Sequence, residues 1–123
     1  MKATFVETTG FTDVIADFMS DEQYAALQKQ LMDDPNCGKV MPGCGGLRKL
    51  RTFDPRRGKG KRGGARVIYL HVSEARRFYM LDIYGKGQKD DLSAKEKKQL
   101  RSLAEQLKQE AIHAYEKWQQ ENQ

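Results

Sequence analysis

Basic side chains crowd the middle third of the chain at spacings that suit a polyanion. In the segment RGKGKRGG (57–64), four of the first six residues are basic: Arg57, Lys59, Lys61 and Arg62. Residues 47–89 hold 13 Lys/Arg and 3 Asp/Glu, although the whole chain has a net charge of only +5. A positive field this concentrated attracts a polyanion, with nucleic acid as the first candidate and an acidic protein as the second.

Three stretches around this basic segment have the pattern of β-strands. They are GLRKLRTF (46–53), ARVIYLHV (65–72) and RFYMLDIY (77–84), and the last two are rich in β-branched and aromatic residues. The connections between them are too short for helical crossovers, so we expect an antiparallel meander.

Strand geometry predicts where the cations point. If Leu50 faces the core, Lys49 and Arg51 point to the opposite side of the sheet. In a meander, Arg66 at the start of its strand lies at the same end as Lys86, just past the last strand. We therefore expect these four cations and the basic loop to form one cluster. The alternative is that Lys and Arg line this face only for solubility and to block edge pairing.

A cationic cluster could support cleavage of RNA by internal transfer. That reaction needs the 2′-hydroxyl deprotonated, an in-line geometry and stabilisation of the extra phosphate charge. Arginine offers planar two-point contacts to phosphate, and lysine offers a compact charge that can act as an acid or a base. The sequence has no Ser-His-Asp, HExxH, DxD or Walker pattern, so we predict neither a metal nor a cofactor. Its two histidines, His71 and His113, lie outside the basic segments.

The remaining elements complete an α+β, single-domain fold in the order β-α-α-β-β-β-α, with an antiparallel sheet packed by helices. KATFVET (2–8) reads as a first strand, and two helices follow it up to Pro35. Ser20 with Gln23, and Ser93 with Glu96, have capping-box spacing at helix starts. The last helix should extend to about residue 119, with its apolar stripe on the sheet. The position of the first strand in the sheet stays open.

The rest of the composition limits the location of the protein. No apolar run approaches the roughly 20 residues that span a bilayer, and residues 1–19 lack a signal-peptide pattern. We therefore expect a cytoplasmic protein that does not contact a membrane. Cys37 and Cys44 are expected to be free thiols without a chemical role, with a disulfide or redox role as the alternative.

Together these segments resemble a known family. GLRKLRTF, GKGKRGGARVIYLHV and RRFYMLDIYGKGQKDDLS, followed by a capped lysine-rich helix, are similar to the RelE/HigB family of bacterial toxin–antitoxin systems, and most of all to its HigB-type branch. The resemblance extends over residues 1–123 as one RelE/HigB-like toxin domain.

The resemblance implies a type II toxin that acts as an mRNA interferase. Such a toxin is a metal-independent endoribonuclease that cleaves mRNA in the ribosomal A site and thereby inhibits translation. The partners that the resemblance implies are the ribosome, mRNA and a cognate antitoxin, usually a HigA-type protein with a helix-turn-helix. The residues matching the catalytic set are Lys49, Arg51, Arg66 and Lys86. Those expected to bind RNA are Arg48, Lys59, Lys61, Arg62, Lys89 and Tyr84.

Two other functions fit the same sequence. One is a ParE-like toxin of the same fold that inhibits DNA gyrase, although such an inhibitor needs no set of RNA-facing cations. The other is a non-catalytic module that binds nucleic acid, with an affinity that falls steeply as the salt concentration rises.

Overall fold

The computed structural model describes residues 2–52, 64–85, 87 and 91–123. Its elements, in chain order, are β1 (Thr4–Glu7), α1 (Thr9–Phe18), α2 (Asp21–Asp33), β2 (Lys39–Val40), β3 (Arg48–Thr52), β4 (Ala65–Val72), a 3-10 turn (Ser73–Ala75), β5 (Arg77–Tyr84) and α3 (Ala94–Glu121). The predicted order of helices and longer strands is confirmed, and the short strand β2 is an addition to it.

The five strands form one sheet in the order β1-β5-β4-β3-β2. Strands β2 to β5 pair antiparallel, so the predicted meander is confirmed. Strand β1, whose place the sequence left open, lies at the edge beside β5 and runs parallel to it. Its chain leaves through α1 and α2 rather than through a hairpin, which makes a parallel pairing feasible.

Helix boundaries follow from their caps. The Ser20 hydroxyl accepts a hydrogen bond from the Gln23 amide at 3.1 Å, and the Gln23 side chain accepts one from the Ser20 amide at 2.9 Å. Ser93 and Glu96 form the same reciprocal pair at the start of α3. Both predicted capping boxes are therefore confirmed, and they satisfy amides that the first helical turn leaves without partners.

Helices cover both faces of the sheet. One face, with side chains such as Val67, Tyr69 and Phe78, packs in one core cluster with apolar residues of α1 and α2. The other face, with Leu47 and Leu70 among its members, packs in a second cluster with the apolar stripe of α3. Alternate residues of a strand point to opposite faces, so one strand such as β4 supplies both cores. Neither face of the sheet is left entirely to solvent.

Two sequence expectations concern cysteine and membranes. Cys37 and Cys44 are both free thiols, and Cys44 is buried. Among the described residues, no helix is both long enough and apolar enough to span a membrane.

Candidate functional site

The register of the central strands aligns the predicted cations in rows across the sheet. Arg51 of β3 lies directly opposite Arg66 of β4, and Arg66 in turn lies opposite Tyr84 of β5. Lys49 lies opposite Ile68, one row further along the same face. Directly opposed residues of an antiparallel pair share a face, so Lys49, Arg51 and Arg66 form one group, here called the cationic row. This is the end of the sheet that the sequence predicted for Arg66.

Arg66 is unusual because it is buried. Only 5% of its surface is exposed, and it is the one charged side chain of the described residues that is buried. One of its guanidinium nitrogens donates a hydrogen bond to the backbone carbonyl of Gly64, just ahead of β4. Lys49 is half-buried and Arg51 is exposed, and within the described parts of the chain neither forms an ion pair.

Opposed like charges on neighbouring strands are destabilising. The one acidic residue of β5 is Asp82. It lies opposite Ile68 and accepts a hydrogen bond from the Ile83 amide at 2.9 Å. In the register of the described strands, Arg51 and Arg66 lie opposite each other and no acid occupies a position paired with either, which is an arrangement suited to a bound anion.

The cationic row opens onto a cleft between the β2–β3 pair and the start of α3. The cleft has a volume of about 590 Å³, and Lys49 and Arg51 line one of its walls. Two further lysines line it, Lys39 from β2 and Lys97 from the first turn of α3. Sequence reasoning missed both, since only the pairing of β2 with β3 and the packing of α3 bring them to the row.

Side chains on the other face of the sheet anchor the wall that carries Lys39. The Tyr69 hydroxyl donates to the Pro35 carbonyl at 2.7 Å and accepts from the Gly38 amide at 3.0 Å. The Arg48 guanidinium donates to the carbonyls of Gly38 at 2.7 Å and Asn36 at 3.3 Å. Loop 35–38 is therefore fixed immediately before Lys39, although it is rich in turn-forming residues.

The other predicted residues differ in where they lie. Arg48 is not brought to the cationic row, because it shares the face of Leu50 and its guanidinium binds loop 35–38. Tyr84 is brought there, buried beside Arg66. The remaining predicted residues lie outside the described part of the chain: Lys59, Lys61, Arg62, Lys86 and Lys89.

Neither histidine joins the row. His71 pairs with Phe78 near the far end of β4, and its ring stacks on that phenyl ring with centroids 4.4 Å apart. Burial lowers the pKa of His71, and its Nε2 atom is buried without a hydrogen-bond partner among the described residues. His113 is exposed on α3.

Comparison with protein families identifies the chain. A family model described as the RelE toxin of the RelE/RelB toxin–antitoxin system matches residues 37–122, which is well over half of the chain. The chain belongs to the RelE toxin family. The match extends from the loop before β2 through α3, so it includes the cationic row and every wall of the cleft, whereas β1, α1 and α2 precede it. RelE toxins are components of type II toxin–antitoxin systems and pair with an antitoxin.

Proposed function

We propose that this RelE-family toxin is a HigB-type, ribosome-dependent endoribonuclease that cleaves mRNA in the A site and so stops translation. The toxin domain comprises residues 1–123, because α1 and α2 supply one of the two cores that hold the sheet. The observation that carries the proposal is the pair Arg51 and Arg66, directly opposed on one face, with Lys49 beside them and no ion pair on Lys49 or Arg51 among the described residues.

The cationic row suits attack of a 2′-hydroxyl on the adjacent phosphorus. In that step the phosphate gains negative charge as the new P–O bond forms and the 5′-oxygen leaves. Arg66 is buried and its guanidinium is oriented by the Gly64 carbonyl, so it stabilises that charge with little reorganisation. A guanidinium remains charged at any physiological pH. The resemblance gives Lys86 the same role.

Lys49 and Arg51 hold the message in place. Both line the cleft, where their charges can contact consecutive phosphates and fix the in-line geometry. Of the two, Lys49 serves as the acid or base of the reaction, because the guanidinium of Arg51 keeps its proton. Tyr84 supports Arg66 from the neighbouring strand, and four more basic residues of the resemblance bind the RNA backbone: Lys59, Lys61, Arg62 and Lys89.

The partners follow from the same proposal. The toxin binds the ribosome and its mRNA in the cytoplasm, and a HigA-type antitoxin with a helix-turn-helix neutralises it. A partner with acidic side chains would complement the cationic row.

Inducible expression of matched variants tests the proposal. The wild-type chain should arrest growth, and translating ribosomes treated with it should carry mRNA cut in the A site. Arg66→Ala should lower the single-turnover cleavage rate by roughly 100-fold to 1,000-fold, the usual effect of removing a group that stabilises transition-state charge. Arg77→Ala is the matched control, because Arg77 lies at the other end of β5, opposite Val72.

Several outcomes would overturn the proposal. A chain that is harmless without its antitoxin, or an Arg66→Ala variant as toxic as the wild type, contradicts it. Intact transcripts together with DNA breaks and an SOS response would instead assign the chain to gyrase inhibition. RNA binding without any cut on translating ribosomes would assign it to non-catalytic binding.

A further inference from the structure

The cleft extends beyond the cationic row, and two more lysines line it. Lys39 lies directly opposite Lys49 in the pairing of β2 with β3. Lys97 lines the facing wall, in the first turn of α3. Together with Arg51, these lysines place four cationic side chains around one cavity.

The charges of this cavity are unbalanced. Asp91 is the one acidic side chain among the described residues that line it. Within those described residues, neither Lys39 nor Lys97 forms an ion pair. A concave surface with four cations and one acid concentrates a positive potential, which favours a ligand with several negative charges.

The lining between the cations is apolar. It includes Val40, Met41, Pro42 and Leu92. Met41 and Leu92 belong to the apolar cluster on the face of the sheet that carries Lys49, so they lie on the same side as the cations. A volume of about 590 Å³ lies within the range of cavities that hold ligands of nucleotide size. A ligand that fits this lining is apolar on one side and anionic at its ends.

We infer that the cleft binds one unpaired nucleotide of single-stranded RNA, with its flanking phosphates on Lys39 and Lys97 and its base against Met41 and Leu92. Bases of single-stranded RNA can turn out of the stack, which base-paired RNA does not allow, and their faces pack well on apolar side chains. The inference rests on the proposed function, because it takes the ligand of the cationic row to be RNA. Continuity of the cleft with that row favours RNA over an acidic peptide.

Both lysines are held on fixed supports. Lys39 directly follows the loop that Tyr69 and Arg48 anchor. Lys97 follows the Ser93 capping box, and its own amide donates to the Ser93 carbonyl at 3.0 Å. The cleft walls are thus positioned before RNA binds, which lowers the entropic cost of binding.

Salt dependence of RNA binding tests the role of the lysines. The probe is a short, fluorescent, 2′-O-methylated single-stranded RNA, which cannot be cut by internal transfer, measured by anisotropy from about 50 to 200 mM KCl. Lys39→Gln and Lys97→Gln should each weaken binding about fivefold at the lowest salt and flatten the slope of log K against log salt by about 0.7. Lys39→Arg and Lys97→Arg should restore the slope.

Lys98→Gln provides the matched control, because Lys98 is exposed on the same turn of α3 and does not line the cleft. Its slope should equal that of the wild type. The inference is overturned if Lys39→Gln and Lys97→Gln also keep the wild-type slope, or if they weaken binding to the antitoxin while leaving RNA binding unchanged. The second result would assign the cleft to an acidic peptide.

The apolar contact requires a separate test. Leu92→Ser should weaken binding of the RNA about threefold at every salt concentration, since a lost apolar contact releases no counterions. The same variant should bind a sugar–phosphate oligomer that lacks bases as tightly as the wild type does. Equal losses with both oligomers would contradict the contact with a base.

Failure of this inference can be separated from failure of the proposed function. Cleavage that depends on Arg66 but is unaffected by substitution of Lys39 and Lys97 would refute the nucleotide site and leave the endoribonuclease intact. Binding that depends on the two lysines without any cleavage on ribosomes would support the site and refute the endoribonuclease.

Discussion

Replacing Tyr69 with Phe would remove a single hydroxyl group from the interior of the protein. The Tyr69 side chain has 0% exposure, and its hydroxyl bonds to the Pro35 carbonyl and the Gly38 amide at 2.7 and 3.0 Å. Burial raises the pKa of Tyr69 to about 12, so the hydroxyl keeps its proton and remains a donor throughout the physiological range. We predict that Tyr69→Phe destabilises the fold and loosens the wall of the cleft that carries Lys39.

The size of the effect follows from the two bonds. A neutral hydrogen bond contributes about 1 kcal/mol, and a buried amide left without a partner costs at least about 1 kcal/mol more. Gly38 is buried, so water cannot readily replace the lost acceptor. Arg48 still holds the Gly38 carbonyl, which keeps the loss near the lower end of the range. The free energy of unfolding should therefore fall by about 2 kcal/mol, and the melting temperature by about 8 °C.

Urea unfolding followed by circular dichroism measures this change. The dependence of the free energy on urea concentration should stay the same, because the folded and unfolded surfaces barely change. Tyr79→Phe is the matched control: Tyr79 is also buried in the sheet, but its hydroxyl accepts only one long bond, 3.4 Å from Arg77. The free energy of unfolding of that variant should fall by about 0.5 kcal/mol. Similar losses in both variants would refute the idea that Tyr69 anchors the loop.

Two further predictions concern pH and close packing. Burial lowers the pKa of His71 in the folded chain, so the unfolded chain takes up a proton at a higher pH than the folded chain does. As the pH falls from about 6.5 to the lower pKa of the folded chain, the free energy of unfolding should therefore decrease. Urea unfolding between about pH 6.5 and 5 should show a smaller decrease in His71→Phe than in the wild type; an equal decrease in the two would contradict this account. Gly45 has φ +72°, and an added Cβ atom would lie 2.9 Å from the Ala104 Cβ atom, so Gly45→Ala should lose about 3 kcal/mol in the same assay. Gly87→Ala, at φ +85° in open space, should lose only about 1 kcal/mol, and equal losses would show that contact with α3 is not the cause.

The central strands were predictable because their signal is local. The stretches 65–72 and 77–84 are runs of eight residues rich in β-branched and aromatic side chains, bounded by glycine-rich or polar segments, and β4 and β5 occupy the same residues. The capping boxes were predictable for the same reason, since their partners are three residues apart. Strand β2 was not predictable, because its two residues lie in a segment rich in Gly and Pro and become a strand only by pairing with β3.

The geometry of the site was predictable only in part. Alternation predicted that Lys49 and Arg51 share one face, as they do in the pairing of β3 with β4, whereas Arg48, expected to bind RNA, lies on the other face. The burial of Arg66 could not be predicted, because it depends on neighbours from distant parts of the chain rather than on strand periodicity. The lysines at 39 and 97 have no sequence signal of their own, and 58 positions of chain separate two side chains that share one cavity.

The opposed arginines of β3 and β4 make the fold and its ligand interdependent. Two positive groups held on facing residues repel each other in the unbound protein, so folding by itself would favour a neutral residue at one of the two positions. A phosphate that bridges them replaces one repulsion with two attractions. Because a ligand that binds only the native chain stabilises it, a phosphate bound between Arg51 and Arg66 would offset their repulsion and raise the resistance of the protein to unfolding.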